Sequence, residues 1–201
     1  MSGLKFDKRE LGNLEYALDR EVLATDRRGG YMSTTIVGCN TRKYHGLMVA
    51  PIDQSDRTYV LLSSLDETVV QHEQSFNLAL HRYEGTYEPR GHKYITDFEY
   101  TPTPTITYRV GGVILKKELL WIHNRTQLMI RYTLVDAHSE TTLRLRPLLA
   151  FRDKHALSKA NMEADGRAYP IPHGVKCRLY EGFPWLYMQL NKEDAEFIAA
   201  P

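Results

Sequence analysis

The sequence predicts an all-β protein, an antiparallel β-sandwich with at most short helices. Three observations point there. Apolar and polar residues alternate with period two over much of the chain, turn-forming residues punctuate those runs, and no long amphipathic stripe or βαβ alternation appears.

Taken in order, the opening stretch from Asp7 to Leu18 is polar enough to coil only briefly. Residues Asn40 to His45 form a polar cluster pinned against Gly46 and followed at once by Leu47-Met48-Val49-Ala50, which reads as a loop entering a buried strand. Val60-Leu61-Leu62 leads into the adjacent carboxylates Asp66 and Glu67. On a strand, neighbours point to opposite faces, so this pair cannot flank one scissile bond; one is expected in a core salt bridge and the other in solvent. Phe76, Leu78 and Leu80 alternate with Asn77, Ala79 and His81, and Ile106, Tyr108 and Val110 alternate with Thr105, Thr107 and Arg109. Gly111-Gly112 then supplies a two-residue hairpin signal. Leu128, Ile130, Tyr132 and Leu134, and later Leu143 and Leu145, continue the period. Lys154 to Ala164 is the best later helix candidate, but it lacks a long apolar stripe and is expected to make only a helical turn or two. Further breaks fall at Arg28-Gly29-Gly30, Gly38, Pro89-Arg90-Gly91, Pro102 to Pro104 and Asp165-Gly166.

A length of 201 residues suffices for a real core, and a single domain over residues 1–201 is expected. Lys plus Arg number 26 against 25 Asp plus Glu, without a basic stripe, which argues against nucleic acid as a partner. Cys39 and Cys177 match no metal or redox spacing and read as reduced thiols. The N-terminus lacks the apolar centre of a signal peptide, and no run is long enough to span a bilayer, so a soluble cytoplasmic protein without membrane contact is expected. No phosphate-type glycine loop, no Gly-x-Ser-x-Gly and no His-Glu-x-x-His occurs, and neither a cofactor nor a metal is assigned.

Two polar clusters stand at strand ends. The first carries Asn40, Arg42, Tyr44 and His45; the second is Arg152-Asp153-Lys154-His155. One reading of each is a polar turn whose side chains satisfy nearby backbone. The other is recognition of a polyhydroxylated ligand, with Arg and Asn as donors and Tyr as a flat apolar face. That second reading requires the two clusters to lie side by side. Trp121, Trp185 and the tyrosines at 83, 87, 94 and 100 are either a stacking platform or the core and rim of the sandwich.

Several segments read in order resemble one family. They are Glu21 to Tyr31 (EVLATDRRGGY), Asn40 to Leu47 (NTRKYHGL), Val60 to Thr68 (VLLSSLDET), Leu145-Arg146-Pro147-Leu148 and Arg152-Asp153-Lys154-His155. Together they are similar to the N-terminal domain of bacterial and archaeal glycogen debranching enzymes of the amylo-α-1,6-glucosidase type. The NTRKYHGL element is the specific part. Asp26-Arg27-Arg28 stand where the family usually carries an Asn-Gly pair, so that turn is expected to differ. The resemblance implies a glucoamylase-like supersandwich placed ahead of a helical catalytic domain. It implies that both catalytic carboxylates lie in that helical domain, outside residues 1–201, so that this chain alone is inactive. The implied partners are that helical domain and an α-glucan such as glycogen or maltooligosaccharide. Asn40, Arg42, Tyr44, His45, Arg152, Asp153 and His155 become candidates for a substrate-cleft or interdomain rim. A free-standing glucan-binding module and a purely structural docking domain are the alternatives. The stop at Phe197 to Pro201 is expected near the end of the domain, with omission of a last strand or the linker as the alternative.

Overall fold

Alternating side chains fix how the two main sheets meet. In the computed structural model, which describes residues 3–52, 57–159, 161–191 and 196, one sheet has five strands in the order β1-β9-β10-β11-β12. These are β1 (Leu4–Asp7), β9 (Ile95–Tyr100), β10 (Pro104–Val110), β11 (Val113–Trp121) and β12 (Leu128–Ala137). The other runs β13-β5-β4-β3-β2, with β6 beside β5. Its members are β2 (Glu21–Thr25), β3 (Tyr31–Thr35), β4 (Gly46–Pro51), β5 (Thr58–Gln71), β6 (Gln74–Asn77) and β13 (Thr142–Asp153). All pairings are antiparallel. The inward positions of both sheets, among them Met32, Val69, Phe98, Ile106, Val113 and Leu119, form one shared core, which makes the pair a sandwich.

The hairpin expected at Gly111-Gly112 joins β10 to β11, with both glycines at positive φ (57° and 81°), as a mirror-image two-residue turn requires. Asp7 to Leu18 coils into two short helices, α1 (Lys8–Gly12) and α2 (Leu14–Leu18). A reciprocal cap starts α1: Asp7 Oδ1 accepts from the Arg9 and Glu10 amides, and Glu10 Oε2 accepts from the Asp7 amide. The Asp26 turn closes on itself, Oδ1 accepting from the amides of Arg28 at 2.6 Å and Gly30 at 2.9 Å.

Three expectations change. The run from Phe76 to His81 is not one strand: it breaks at Leu78-Ala79, where Asn77 Oδ1 captures the Ala79 amide, and resumes as β7 (Leu80–Tyr83) paired with β8 (Thr86–Arg90). Lys154 to Ala164 makes a turn and no helix among the described residues. Asp66 is not solvated. Both adjacent carboxylates are buried, because β7 lays His81 over the outer face of β5, and His81 Nε2 meets Asp66 at 2.9 Å while Arg146 closes at 3.2 Å. Glu67 is the carboxylate that takes the core salt bridge, against Lys117 at 2.5 Å and the Tyr132 hydroxyl at 2.6 Å. The expectation about the C-terminal stop lies outside the described residues.

A small sheet of β14 (Ala168–Ile171), β15 (Gly174–Cys177) and β16 (Leu186–Gln189) packs on the outer side of β4, β5 and β13 through a second apolar cluster. Cys39 and Cys177 are free, buried in different clusters, and burial pushes each thiol up to about 11. No helix among the described residues is long and apolar enough to cross a membrane.

Candidate functional site

The loop from Ile36 to His45 leaves β3 and dives back under β5. Thr35 starts it by donating its hydroxyl to the Cys39 carbonyl while accepting from the Cys39 amide, each at 3.0 Å. Gly46 ends it. A Cβ there would stand 2.8 Å from a Val60 methyl and 2.9 Å from a Val49 methyl, so only glycine lets β4 begin this close to β5. Asn40 braces the middle, accepting from Thr34 Oγ1 at 2.9 Å and donating to the Ser63 carbonyl at 2.9 Å.

His45 is 2 % exposed, so it is a strut of the loop and not a rim group. Its Nδ1 accepts the Thr41 amide at 3.1 Å, which assigns the proton of the neutral ring to Nε2. Nε2 stands 3.4 Å from Glu21 Oε1, an electrostatic contact without hydrogen-bond alignment. Burial pushes the His45 pKa down, and Glu21 only partly opposes it. The same Glu21 oxygen accepts from Arg42 Nε.

The second cluster is aimed by a bulge. Between Leu149 and Arg152, β13 carries one residue more than β5; Phe151 takes φ 45° and buries its ring in the outer cluster. Arg152 follows, and its guanidinium donates to three carbonyls, those of Lys43 at 2.6 Å, Ala156 at 2.8 Å and Asp153 at 3.2 Å. Asp153 Oδ1 accepts the His155 amide at 2.8 Å and fixes the turn.

Arg152 therefore ties the two corners together. Lys43 Nζ reaches the His155 carbonyl at 3.4 Å, the Tyr44 hydroxyl meets His155 Nδ1 at 3.4 Å, and the two rings cross edge to face with centroids 5.5 Å apart. Tyr31 supports the tip from β3, its hydroxyl donating to the Tyr44 carbonyl at 3.1 Å. Asn40, His45, Arg152 and Asp153 are engaged internally. Lys43, Tyr44 and His155 are left exposed as a short aromatic and cationic ledge. Arg42, though next in sequence, turns to Glu21 instead and lines a separate cleft.

A family model described as glycogen debranching enzyme N terminal matches residues 20–201. The chain belongs to that family. No curated protein and no solved structure matches it. Both corners of the ledge fall within the matched span, as do Arg82 and Tyr87, while the α2 wall of the cleft precedes it.

Sequence reasoning passed over Arg82, gave Glu21 and Tyr31 no role of their own, and met Tyr87 only as one of several aromatics. Lys43 was within its reach, since it sits inside the polar run; the others come from strands whose pairing no local pattern announces. The suggested aromatic platform does not exist as one surface. Trp121 is buried; Trp185 is ringed by Tyr169, Lys176 and Arg178; Tyr94 packs on Phe76. Among the described residues no group of three or more His, Cys, Asp or Glu could hold a metal ion.

Proposed function

We propose that this chain serves as the non-catalytic N-terminal domain of a debranching α-1,6-glucosidase, docking a C-terminal helical catalytic domain and shaping one wall of its substrate cleft. Family membership supports the parent enzyme. The observation that carries the docking role is the ledge: three exposed side chains, Lys43, Tyr44 and His155, stand on a scaffold whose own polar groups are internally engaged. Such a surface is rigid before it meets a partner, so little ordering entropy is lost on contact. It presents two aromatic rings and a cation, a composition suited to a packed interface centre. In this reading the hydrolytic step, which needs two carboxylates set across the glycosidic bond, belongs to the helical domain.

Hydrogen exchange compares the 201-residue chain alone with the polypeptide in which the helical segment follows it. The docking role requires the amides of residues 42–45 and 153–156 to slow when the helical segment is present. Equal exchange in both would remove the ledge from the interface. A glucan-binding role is favoured by a different observation, the cleft beside Arg42.

A further inference from the structure

A cleft of about 460 Å³ opens between α2, the Asn40 to His45 loop and the β7–β8 hairpin, a volume typical of small-molecule sites. Leu14, Glu15 and Asp19 form one wall; Arg42, Arg82 and Tyr87 form the other. Its lining carries both signs, the carboxylates Glu15 and Asp19 and the guanidinium groups Arg42 and Arg82. Arg42 Nε is held by Glu21. Arg82, Glu15 and Asp19 make no side-chain hydrogen bond or ion pair among the described residues, so the walls do not neutralise each other.

That lining selects against ions. An anion would meet Glu15 and Asp19, and a cation would meet Arg42 and Arg82. What suits it is a neutral molecule that donates and accepts at neighbouring positions. Vicinal hydroxyls do both, giving protons to a carboxylate while taking them from the fork of a guanidinium. Tyr87 and Leu14 add apolar contact for the C–H face of a pyranose ring. Of the tyrosines and tryptophans considered above, Tyr87 is the one that lines this cleft. Family membership does not imply the acidic wall, because Glu15 and Asp19 precede the matched residues 20–201.

We propose that this cleft binds a stretch of neutral α-glucan chain, as a site separate from the interdomain ledge. The choice of an α-glucan rests on the debranching-enzyme reading; the preference for a neutral polyol rests on the lining alone. The test is an NMR titration of the 201-residue chain with maltoheptaose, with inorganic phosphate in parallel. Maltoheptaose is expected to shift amides at residues 14–19, 42 and 82–87, and phosphate is expected to leave them unmoved. Arg82→Ala and Tyr87→Ala are expected to weaken binding at least tenfold, and Arg82→Lys, which keeps the charge but loses the fork, to weaken it as well. Circular dichroism and unfolding midpoints check that these variants fold, and the unmutated chain maps the site whether or not they do. No shifts at millimolar maltoheptaose, shifts from phosphate at the cleft, or shifts confined to residues 43–44 and 155 would overturn the proposal. Failure of the docking reading would show separately, as unchanged exchange at the ledge, and would leave this titration as it stands.

Discussion

Glu67 and Glu15 carry the same side chain in opposite circumstances. Glu67 is 2 % exposed between the sheets, with Lys117 on one side and the Tyr132 hydroxyl on the other. Burial, and Glu67 itself, push Tyr132 well above its ordinary pKa, so the phenol stays protonated and keeps donating. Glu15 stands open on α2 with no hydrogen bond or ion pair among the described residues. The lesson is that a charged residue in a β-protein says little by itself about function. What separates the two is whether the fold has already supplied a partner. Exposure sorts the loop: Asn40, His45 and Arg152 spend their polar groups on its scaffold, whereas Lys43, Tyr44 and His155 touch one another and remain open to solvent.

The largest effect should come from opening the sealed region. Lys117→Met leaves Glu67 buried with only Tyr132, and removing one partner of a buried ion pair typically costs about 3–5 kcal/mol. Denaturant unfolding should register that loss, while maltoheptaose binding by the folded fraction stays as before. A cost under about 1 kcal/mol would mean that the inter-sheet pair is effectively solvated.

Arg152→Ala comes next. It removes three charge-assisted bonds to carbonyls that join the corners, and because the site is half-buried a loss of roughly 1.5 kcal/mol is expected. The same variant should loosen the tip, which faster exchange at the Tyr44 and His155 amides would report.

The smallest effect is a pH dependence. Burial lowers the pKa of both His45 and His92; Glu21 opposes it at His45, where Arg42 adds to it, and Lys93 and Arg90 add to it at His92. The unfolded chain then binds more protons as pH drops below about 6.5. Stability contributed by the neutral rings is complete above that pH and is lost as pH falls through their folded values. At Asp66 burial pushes the carboxyl up, but His81 and Arg146 outweigh it and hold it low. Its contribution persists above about 3.9 and disappears only in stronger acid. His45→Asn keeps an acceptor for the Thr41 amide without titrating, so its unfolding midpoint should decline less steeply between pH 7 and 5. An identical slope in the variant would assign the dependence elsewhere.

Much of the fold was legible because period-two patterning is a local property. Ile106, Tyr108 and Val110 turn inward as their alternation required, and Gly111-Gly112 makes the expected hairpin. The miss at Leu78-Ala79 came from Asn77, whose side chain competes with the ladder for the next free amide. The expectation that one of the two carboxylates is solvated fails at Asp66 because its cover arrives from β7, a strand that no pattern around Asp66 predicts. At the site, the meeting of the two corners could be anticipated, whereas the burial of His45 could not. Exposure depends on Glu21 and on the close approach allowed at Gly46, both of which are tertiary facts.

The central claim is that the ledge acts in the assembled enzyme without holding the fold together. Kinetics of the enzyme carrying Tyr44→Ala with His155→Ala, set beside its unfolding midpoint, test it most directly. A fall in kcat/KM on branched dextrin of about tenfold, equivalent to roughly 1.4 kcal/mol, with an unchanged midpoint is the expected result. Unaltered kinetics would contradict it, as would a loss of activity that only follows a loss of stability.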